Sequence, residues 1–193
     1  MTRSHRIFIA VELDPALHQA VVDTQTRLEA AGAKVRWIRP GNLHFTLRFL
    51  GEIPPAQVAL AKVATREAVS GVAPFTISLR SLGAFPSLER PQVVWVGVEE
   101  GAEELQALAE RLQARLHHHR FPPEDHPFRP HLTLARIRDS RQWGDIVRAL
   151  TQHRDMIVGA QQVQAVAVME SHLTPQGPVY ARVEEVSLQG HEK

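Results

Sequence analysis

The sequence predicts an α+β fold with two pseudo-symmetric lobes, each built from an antiparallel-rich sheet and packed helices. Strand-like and helix-like periodicities alternate along the 193 residues, which favours layers of both kinds over a helical bundle. The order of strand, helix and histidine-bearing strand occurs in both halves. With 44% hydrophobic and 22% charged residues, the chain has an ordinary globular composition. We therefore expect a single bilobal domain over residues 1–193.

The first two helices of this fold begin at local sequence signals. The first helix opens at Asp14 and Pro15 and stops at Gly32, because aspartate caps free N–H groups and proline is accepted in the first turn. Pro54 and Pro55 open the second helix, and regularly spaced leucines give the third one buried face. The predicted helices span about 14–31, 54–71, 103–117 and 140–153; the predicted strands are 6–13, 43–50, 75–82, 92–98 and 131–137, with β-rich runs at 156–169 and 179–188.

Composition narrows the possible classes of protein. The chain has no cysteine, which excludes disulfides, thiolate metal sites and cysteine nucleophiles. The apolar run from Ile7 to Leu13 contains Glu12 and is too short to span a membrane. We expect a cytoplasmic protein that acts as a monomer, with no membrane association and no obligate protein partner.

The positive charges are unevenly distributed, although 22 basic and 21 acidic residues nearly cancel. Two windows, 34–48 and 126–138, contain basic residues and no acidic ones. Such segments favour an anionic ligand, although basic residues also flank strand ends by chance. The basic residues are Lys34, Arg36, Arg39 and Arg48 in the first window and Arg129, Arg136 and Arg138 in the second.

Each window contains one copy of the pattern His-x-Thr-x, in which both x positions are apolar. Successive side chains on a strand point to opposite faces, so His44 shares a face with Thr46, and His131 shares one with Thr133. The same alternation places Arg48 on the face of His44 and predicts that Phe49 is buried on the other. A third match, at His172, is excluded because Pro175 would end its strand.

A pair of such strands across one groove has the groups that displacement at phosphorus requires. One neutral histidine removes a proton from the attacking water, and a protonated one donates to the departing oxygen. Histidine serves both roles because its pKa lies near neutrality. The hydroxyls of Thr46 and Thr133 are expected to bind the non-bridging oxygens, and Arg48 is a candidate phosphate contact.

Sequence runs outside these motifs complete a recognisable pattern over nearly the whole chain. They are RIFIA at 6–10, HFTLRFLG at 44–51, GAFP at 83–86, VWVG at 94–97, PHLTLAR at 130–136, ES at 170–171 and GPVY at 177–180. In order and spacing the chain resembles the 2H phosphoesterases, and among them the RNA 2',3'-cyclic phosphodiesterases historically named 2'-5' RNA ligases.

The resemblance implies a central cleft between the lobes, no metal and no nucleotide cofactor. It implies hydrolysis of a 2',3'-cyclic phosphate, on RNA ends or small nucleotides, to a terminal 2'-phosphate. By that likeness His44 is the acid and His131 the base, while the residues alone leave the two roles open. Arg136 matches the family's phosphate-contacting arginine, yet strict alternation from His131 would turn it to the opposite face unless a bulge intervenes.

Two further groups of residues have structural explanations as well as functional ones. Phe8, Trp37 and Trp95 could each stack on an unpaired base, although aromatic residues within apolar strands more often belong to the core; of the three, Phe8 is the candidate that we name. The histidines at 117–119 and His126 suggest metal ligands, but cations are favourable near a helix C-terminus in any case, and no carboxylate pattern completes a metal site.

Three functions remain open from the sequence. The first is the hydrolase. The second is a ligase that joins a cyclic phosphate to a 5'-hydroxyl with the same histidines, although bulk water favours hydrolysis. The third is a catalytically silent RNA-binding protein, against which the presence of two full motifs argues.

Overall fold

The computed structural model describes residues 4–33, 35–137, 139 and 143–190. Lys34 and Arg138, which belong to the two basic windows, and residues 140–142 at the start of the predicted fourth helix lie outside the described residues. The helices are α1 (Pro15–Ala30), α2 (Pro55–Val69), α3 (Ala102–His118) and α4 (Trp143–Gln152), with a short 3-10 helix at Pro40–Asn42. The strands are β1 (His5–Glu12), β2 (Arg36–Trp37), β3 (His44–Ile53), β4 (Ser70–Gly71), β5 (Phe75–Phe85), β6 (Val93–Val98), β7 (His131–Arg136), β8 (Ile157–Val163), β9 (Ala165–Thr174), β10 (Gly177–Ser187) and β11 (Gln189–Gly190).

The strands form two main sheets, and each sheet belongs to one lobe. The first sheet has the order β10-β9-β1-β3 and the second the order β2-β7-β6-β5-β8, and all of their pairings are antiparallel. A parallel pair of β4 and β11 lies apart from them. The prediction of an α+β fold with two antiparallel-rich sheets is confirmed.

The helices are exchanged between the two lobes. Helix α1 follows β1 of the first sheet but packs on β8 of the second, where α4 packs on β5. Helix α3 follows β6 of the second sheet but packs on α2 and on β3 of the first. The units β1-α1-β3 and β6-α3-β7 therefore repeat the predicted order of strand, helix and histidine-bearing strand, and each lobe contains segments from both halves of the chain.

The helix caps follow the local signals. Asp14 has an extended backbone and its carboxylate accepts a hydrogen bond of 2.7 Å from the backbone N–H of Leu17, so α1 begins where the sequence indicates. Gly32 follows α1 with a φ of 100°, a conformation that side chains with a Cβ rarely adopt. Leu105, Leu108, Leu112 and Leu116 form the buried face of α3.

The β-rich run at 156–169 differs from the expectation of one continuous segment. It consists of β8, an edge strand of the second sheet, and β9, an interior strand of the first, with Gln164 between them. The chain therefore passes from one lobe to the other at this residue. No helix in the described part of the chain is long and apolar enough to cross a membrane.

Candidate active site

The two histidine motifs lie on β3 and β7, which contact each other where the lobes meet. Each strand has a β-bulge at the residue that follows the threonine. On β3, Leu47 is the extra residue between the pairs Thr46 with Ala10 and Arg48 with Ile9. On β7, Leu134 is the extra residue between the pairs formed by Thr133 and Ala135. A bulge shifts the alternation of side chains by one residue, so both strands change face at the same point of the motif.

The imidazoles of His44 and His131 are oriented by equivalent hydrogen bonds. Nδ1 of His44 lies 2.8 Å from the carbonyl oxygen of Asn42, and Nδ1 of His131 lies 2.6 Å from that of Arg129. A carbonyl oxygen only accepts, so in each ring Nδ1 carries the hydrogen and Nε2 is the nitrogen that gains or loses a proton. The side chain of Asn42 also donates to the carbonyl oxygen of Pro178, 2.9 Å away, which ties this turn to β10.

Both histidines are biased toward their neutral form. Burial lowers the pKa of His44 below its usual value of 6.5, and the hydrogen bond to Asn42 opposes that shift. Burial also lowers the pKa of His131; the hydrogen bond to Arg129 raises it, and the positive charge of Arg136 lowers it further. The two histidines differ in that a nearby cation, Arg136, lowers the pKa of His131, and no such charge within the described residues acts on His44.

His44 is packed against two aromatic rings of the first sheet. The Phe8 ring centroid lies 4.8 Å from that of His44, and Tyr180 contacts His44 edge-on at 5.3 Å. Phe8 and Tyr180 are themselves 4.8 Å apart. Together with Ala10 and Met169, these residues form a small apolar cluster on the face of the sheet that carries His44.

His131 has a matching aromatic environment on the second sheet. The Phe85 ring meets His131 edge-on at 5.0 Å and lies 5.2 Å from Trp95. Trp95 in turn covers Gly83 so closely that a Cβ there would lie 2.3 Å from the indole ring. The guanidinium of Arg129 lies 5.9 Å above the Phe85 ring. Each histidine therefore contacts a backbone carbonyl and at least one aromatic ring: Phe8 and Tyr180 for His44, and Phe85, which packs on Trp95, for His131.

Arg136 connects the two halves of the site. The bulge at Leu134 places Arg136 on the same face of β7 as His131. The sequence predicted that the two residues could share a face only if such a bulge intervened. The positive charge of Arg136 acts on His131 and also on Tyr180, which contacts His44. Burial raises the pKa of the Tyr180 phenol, and the charges of Arg136 and Arg6 lower it. The charge of Arg136 therefore acts on His131 and on the tyrosine that contacts His44.

The prediction that Arg48 shares a face with His44 is wrong. The bulge at Leu47 turns Arg48 away, and it is 5% exposed. Its guanidinium donates to the side chains of Gln113 and Glu124 and to the carbonyl oxygen of Pro122. Arg48 therefore anchors the loop that leads to His131 and is not a phosphate contact. The same bulge exposes 44% of Phe49, which the sequence predicted to be buried.

The interpretation of Phe8 as a base-stacking residue is also wrong, because its ring is 3% exposed and covered by His44 and Tyr180. Thr46 and Thr133 lie before the bulges and keep the faces of their histidines. Within the described residues, neither threonine hydroxyl has a hydrogen-bond partner. Both remain candidate phosphate contacts.

Sequence reasoning did not assign a role to Tyr180, Phe85, Asn42 or the backbone of Arg129. Tyr180 is the only tyrosine of the chain, and its place in the run at 177–180 was the available signal. The excluded histidine, His172, pairs with Val179, one residue from the Tyr180 position, and thus lies on the other face of β9. No group of three or more metal-binding side chains is clustered among the described residues.

Comparison with known proteins shows which family the chain resembles. The family model described as LigT like Phosphoesterase matches residues 11–95 and again 96–180. An RNA 2',3'-cyclic phosphodiesterase of Methanothermobacter thermautotrophicus is 35% identical over 95% of this chain and 98% of its own. One of Aeropyrum pernix is 39% identical over 80% and 87%.

Solved structures of other proteins have the same fold. A crystal structure of a Thermus thermophilus protein superimposes with a TM-score of 0.78 at 32% identity, covering 97% of this chain and all of that one. LigT of E. coli, complexed with NADP+, shares the fold with a TM-score of 0.77 at 22% identity, covering 96% and 99%. With both motifs on the facing lobes and the family model matched in each half, the chain belongs to the LigT-like phosphoesterase family.

Proposed function

We propose that this protein hydrolyses 2',3'-cyclic phosphates, on RNA ends or on small nucleotides, to terminal 2'-phosphates. The observation that carries the proposal is the matched pair of histidines, His44 and His131, each with Nδ1 bound to a carbonyl and Nε2 available. Relatives at 35% and 39% identity carry the name RNA 2',3'-cyclic phosphodiesterase, which supports this substrate class.

In the proposed reaction His131 is the base and His44 the acid. Nε2 of His131 accepts a proton from water as the water oxygen bonds to phosphorus. The bond from phosphorus to the 3'-oxygen breaks, and Nε2–H of His44 donates its proton to that oxygen. The product has a 2'-phosphate and a 3'-hydroxyl. The asymmetry at Arg136 supports these roles, because a nearby cation favours the neutral form that a base needs.

The other candidate residues stabilise the charge on the phosphate. The hydroxyls of Thr46 and Thr133 share the faces of the two histidines and would donate to the non-bridging oxygens. The guanidinium of Arg136 would offset their negative charge as the fifth bond to phosphorus forms. None of these steps requires a metal, so a chelator is expected to leave the rate unchanged.

The test is hydrolysis of a 2',3'-cyclic mononucleotide, with a 3',5'-cyclic mononucleotide as the comparison substrate. We expect turnover of the first only, with a 2'-phosphate product. His44→Ala and His131→Ala should each lower turnover by roughly 10²–10⁴-fold. His172→Ala is the matched control and should retain the activity of the original protein. Full activity of both active-site variants would exclude the mechanism, and a joined 2',5' product would indicate ligation instead.

The proposal includes a protein that acts as a monomer in the cytoplasm, as one domain without an obligate partner. The absence of cysteine supports a reducing compartment. Both histidine motifs are on one chain, which supports a site that is complete without a second copy. Light scattering at assay concentration tests the oligomeric state, and a mass of two chains would contradict this part.

A further inference from the structure

A group of arginines extends the cleft face of the second sheet beyond His131. Arg36 on β2 pairs directly with Arg136 on β7, and Trp37 pairs with Ala135. Directly paired residues of antiparallel strands point to the same face. Because Arg136 shares the face of His131, Arg36 lies on that face as well, whereas Trp37 packs against the core.

Arg39 joins Arg36 at the turn between β9 and β10. A Cβ placed on Gly177 would lie 3.8 Å from a terminal nitrogen of Arg36 and 3.9 Å from Cζ of Arg39. Gly177 opens β10, the strand that carries Tyr180. Both guanidinium groups therefore meet the same point of the hairpin, at one end of the cleft that contains the histidines.

This arrangement is electrostatically unfavourable without an anion. Like charges directly opposite each other on neighbouring strands destabilise a sheet. Within the described residues, Arg36, Arg39 and Arg136 form no hydrogen bond or ion pair with a carboxylate. Arg36 and Arg39 are also exposed, so they are accessible to a ligand. A bound polyanion would remove the repulsion.

The distance between the three arginines indicates which kind of anion they would bind. The charge of Arg136 acts on His131, beside which the proposed reaction places the cyclic phosphate. Arg36 and Arg39 meet the chain at Gly177, three residues before Tyr180 on β10, which is about 10 Å along a strand. A cyclic mononucleotide has no second phosphate to place there, whereas an RNA chain has a phosphodiester next to its reacting end.

We infer that Arg36 and Arg39 bind a backbone phosphodiester of RNA adjacent to the terminal cyclic phosphate, and so give the enzyme its preference for polynucleotide ends. This inference rests on the proposed function, because it assigns the substrate of the same site. Arginine is suited to the role because its planar fork can bind two phosphate oxygens at once.

The experiment compares kcat/KM for a 2',3'-cyclic mononucleotide and for a short oligoribonucleotide with the same cyclic end. The variants are Arg36→Gln, Arg39→Gln and their combination. The matched control is Arg154→Gln, an exposed arginine in the turn before β8, at the opposite edge of the same sheet. We expect the double variant to lose about tenfold or more on the oligonucleotide and to stay within about twofold on the mononucleotide.

Two further measurements make the result specific. An oligonucleotide with a neutral methylphosphonate at the linkage nearest the cyclic end should be a poorer substrate for the original protein, and the double variant should no longer distinguish it from the natural linkage. The slope of log KM for the oligonucleotide against log salt should fall by about one for each phosphate contact that is lost. Thermal unfolding of the variants checks that they are folded.

The possible failures are distinguishable. If the original protein hydrolyses neither of the two cyclic substrates, the proposed function fails. If the original protein hydrolyses both substrates, two results overturn the assignment of Arg36 and Arg39 while the proposed function stands. The double variant then either loses the same activity on both substrates or loses activity on neither.

Discussion

The edge of the Tyr180 ring meets the imidazole of His44, with the two ring centroids 5.3 Å apart. Tyr180 comes from β10 and His44 from β3, at opposite edges of the first sheet. Phe8 closes the triangle from β1. The orientation of His44 therefore depends on side chains from two other strands, β1 and β10, and on the carbonyl oxygen of Asn42.

Substitution of Tyr180 separates the role of its ring from that of its hydroxyl. Tyr180→Phe keeps the edge contact with His44 and is expected to retain kcat within about fivefold. Tyr180→Ala leaves one side of His44 without support, and we expect kcat to fall by roughly 10–100-fold, since small displacements of an acid or base cost rate steeply. Equal losses for both variants in single-turnover measurements would indicate that the hydroxyl itself acts in the reaction.

The pH dependence of hydrolysis follows from the lowered pKa values of His44 and His131. Both lie below the usual 6.5, so at pH 7 both rings of the free enzyme are mainly neutral. The reactive form needs one proton on the pair, and its population rises as the pH falls toward these pKa values. It declines again once both are protonated. We therefore expect a bell-shaped profile of kcat/KM with its maximum below pH 6.5.

The profile of kcat should lie at higher pH than that of kcat/KM. A bound cyclic phosphate is an anion and favours the protonated form of a nearby imidazole, so it raises the pKa of the acid in the complex. The measurement is the full pH series for both parameters on a cyclic mononucleotide. Superimposable profiles would contradict the idea that the bound phosphate lies beside these rings.

Arg48 is expected to matter for stability and for the position of His131. Arg48→Ala leaves the carbonyl of Pro122 and the side chain of Gln113 without their donor, and we expect a loss of roughly 1–3 kcal/mol in the free energy of unfolding. Urea unfolding measures it. The matched control is Arg148→Ala, which breaks an exposed pair with Asp145 and should change stability by less than about 0.5 kcal/mol. Equal effects would contradict the anchoring role.

Gly83 is expected to act on catalysis without touching the substrate. A Cβ at this position would lie 2.3 Å from the Trp95 ring, so Gly83→Ala must displace the indole that packs on Phe85 beside His131. We expect roughly a tenfold lower kcat and an unfolding free energy reduced by about 1–3 kcal/mol. Gly144→Ala, where a Cβ meets nothing within 4 Å, is the control. An unchanged near-ultraviolet spectrum and rate would refute the prediction.

Alternation along strands predicted which side chains share a face up to the end of each motif, and no further. His44 with Thr46 and His131 with Thr133 follow from period two alone. Leu47 and Leu134 then bulge, and nothing about a leucine marks it as the extra residue. The two bulges had opposite effects on two arginines. The bulge at Leu47 turned Arg48 into the interior, and the bulge at Leu134 placed Arg136 on the face of His131.

The fold class was predictable because the first two helices have clear start signals and the third has a regularly spaced apolar face. The passage from β8 to β9 was not predictable, because the single residue Gln164 separates the two strands within a continuous β-rich run and gives no sign of a loop. The prediction for Phe8 was wrong for a different reason. An aromatic residue on the cleft face can contact a ligand or support a catalytic side chain, and only the contacts with His44 and Tyr180 decide between them.

The exchange of α1 and α3 between the lobes has a consequence for how the molecule can be divided. The border between the two family matches, after residue 95, falls inside β6, and a fragment on either side of it would lack strands of both sheets. Because each half completes the other, we expect neither to fold when expressed alone. A substitution that destabilises the core beneath one histidine should likewise destabilise the lobe that carries the other. We therefore expect both lobes to unfold in a single cooperative transition.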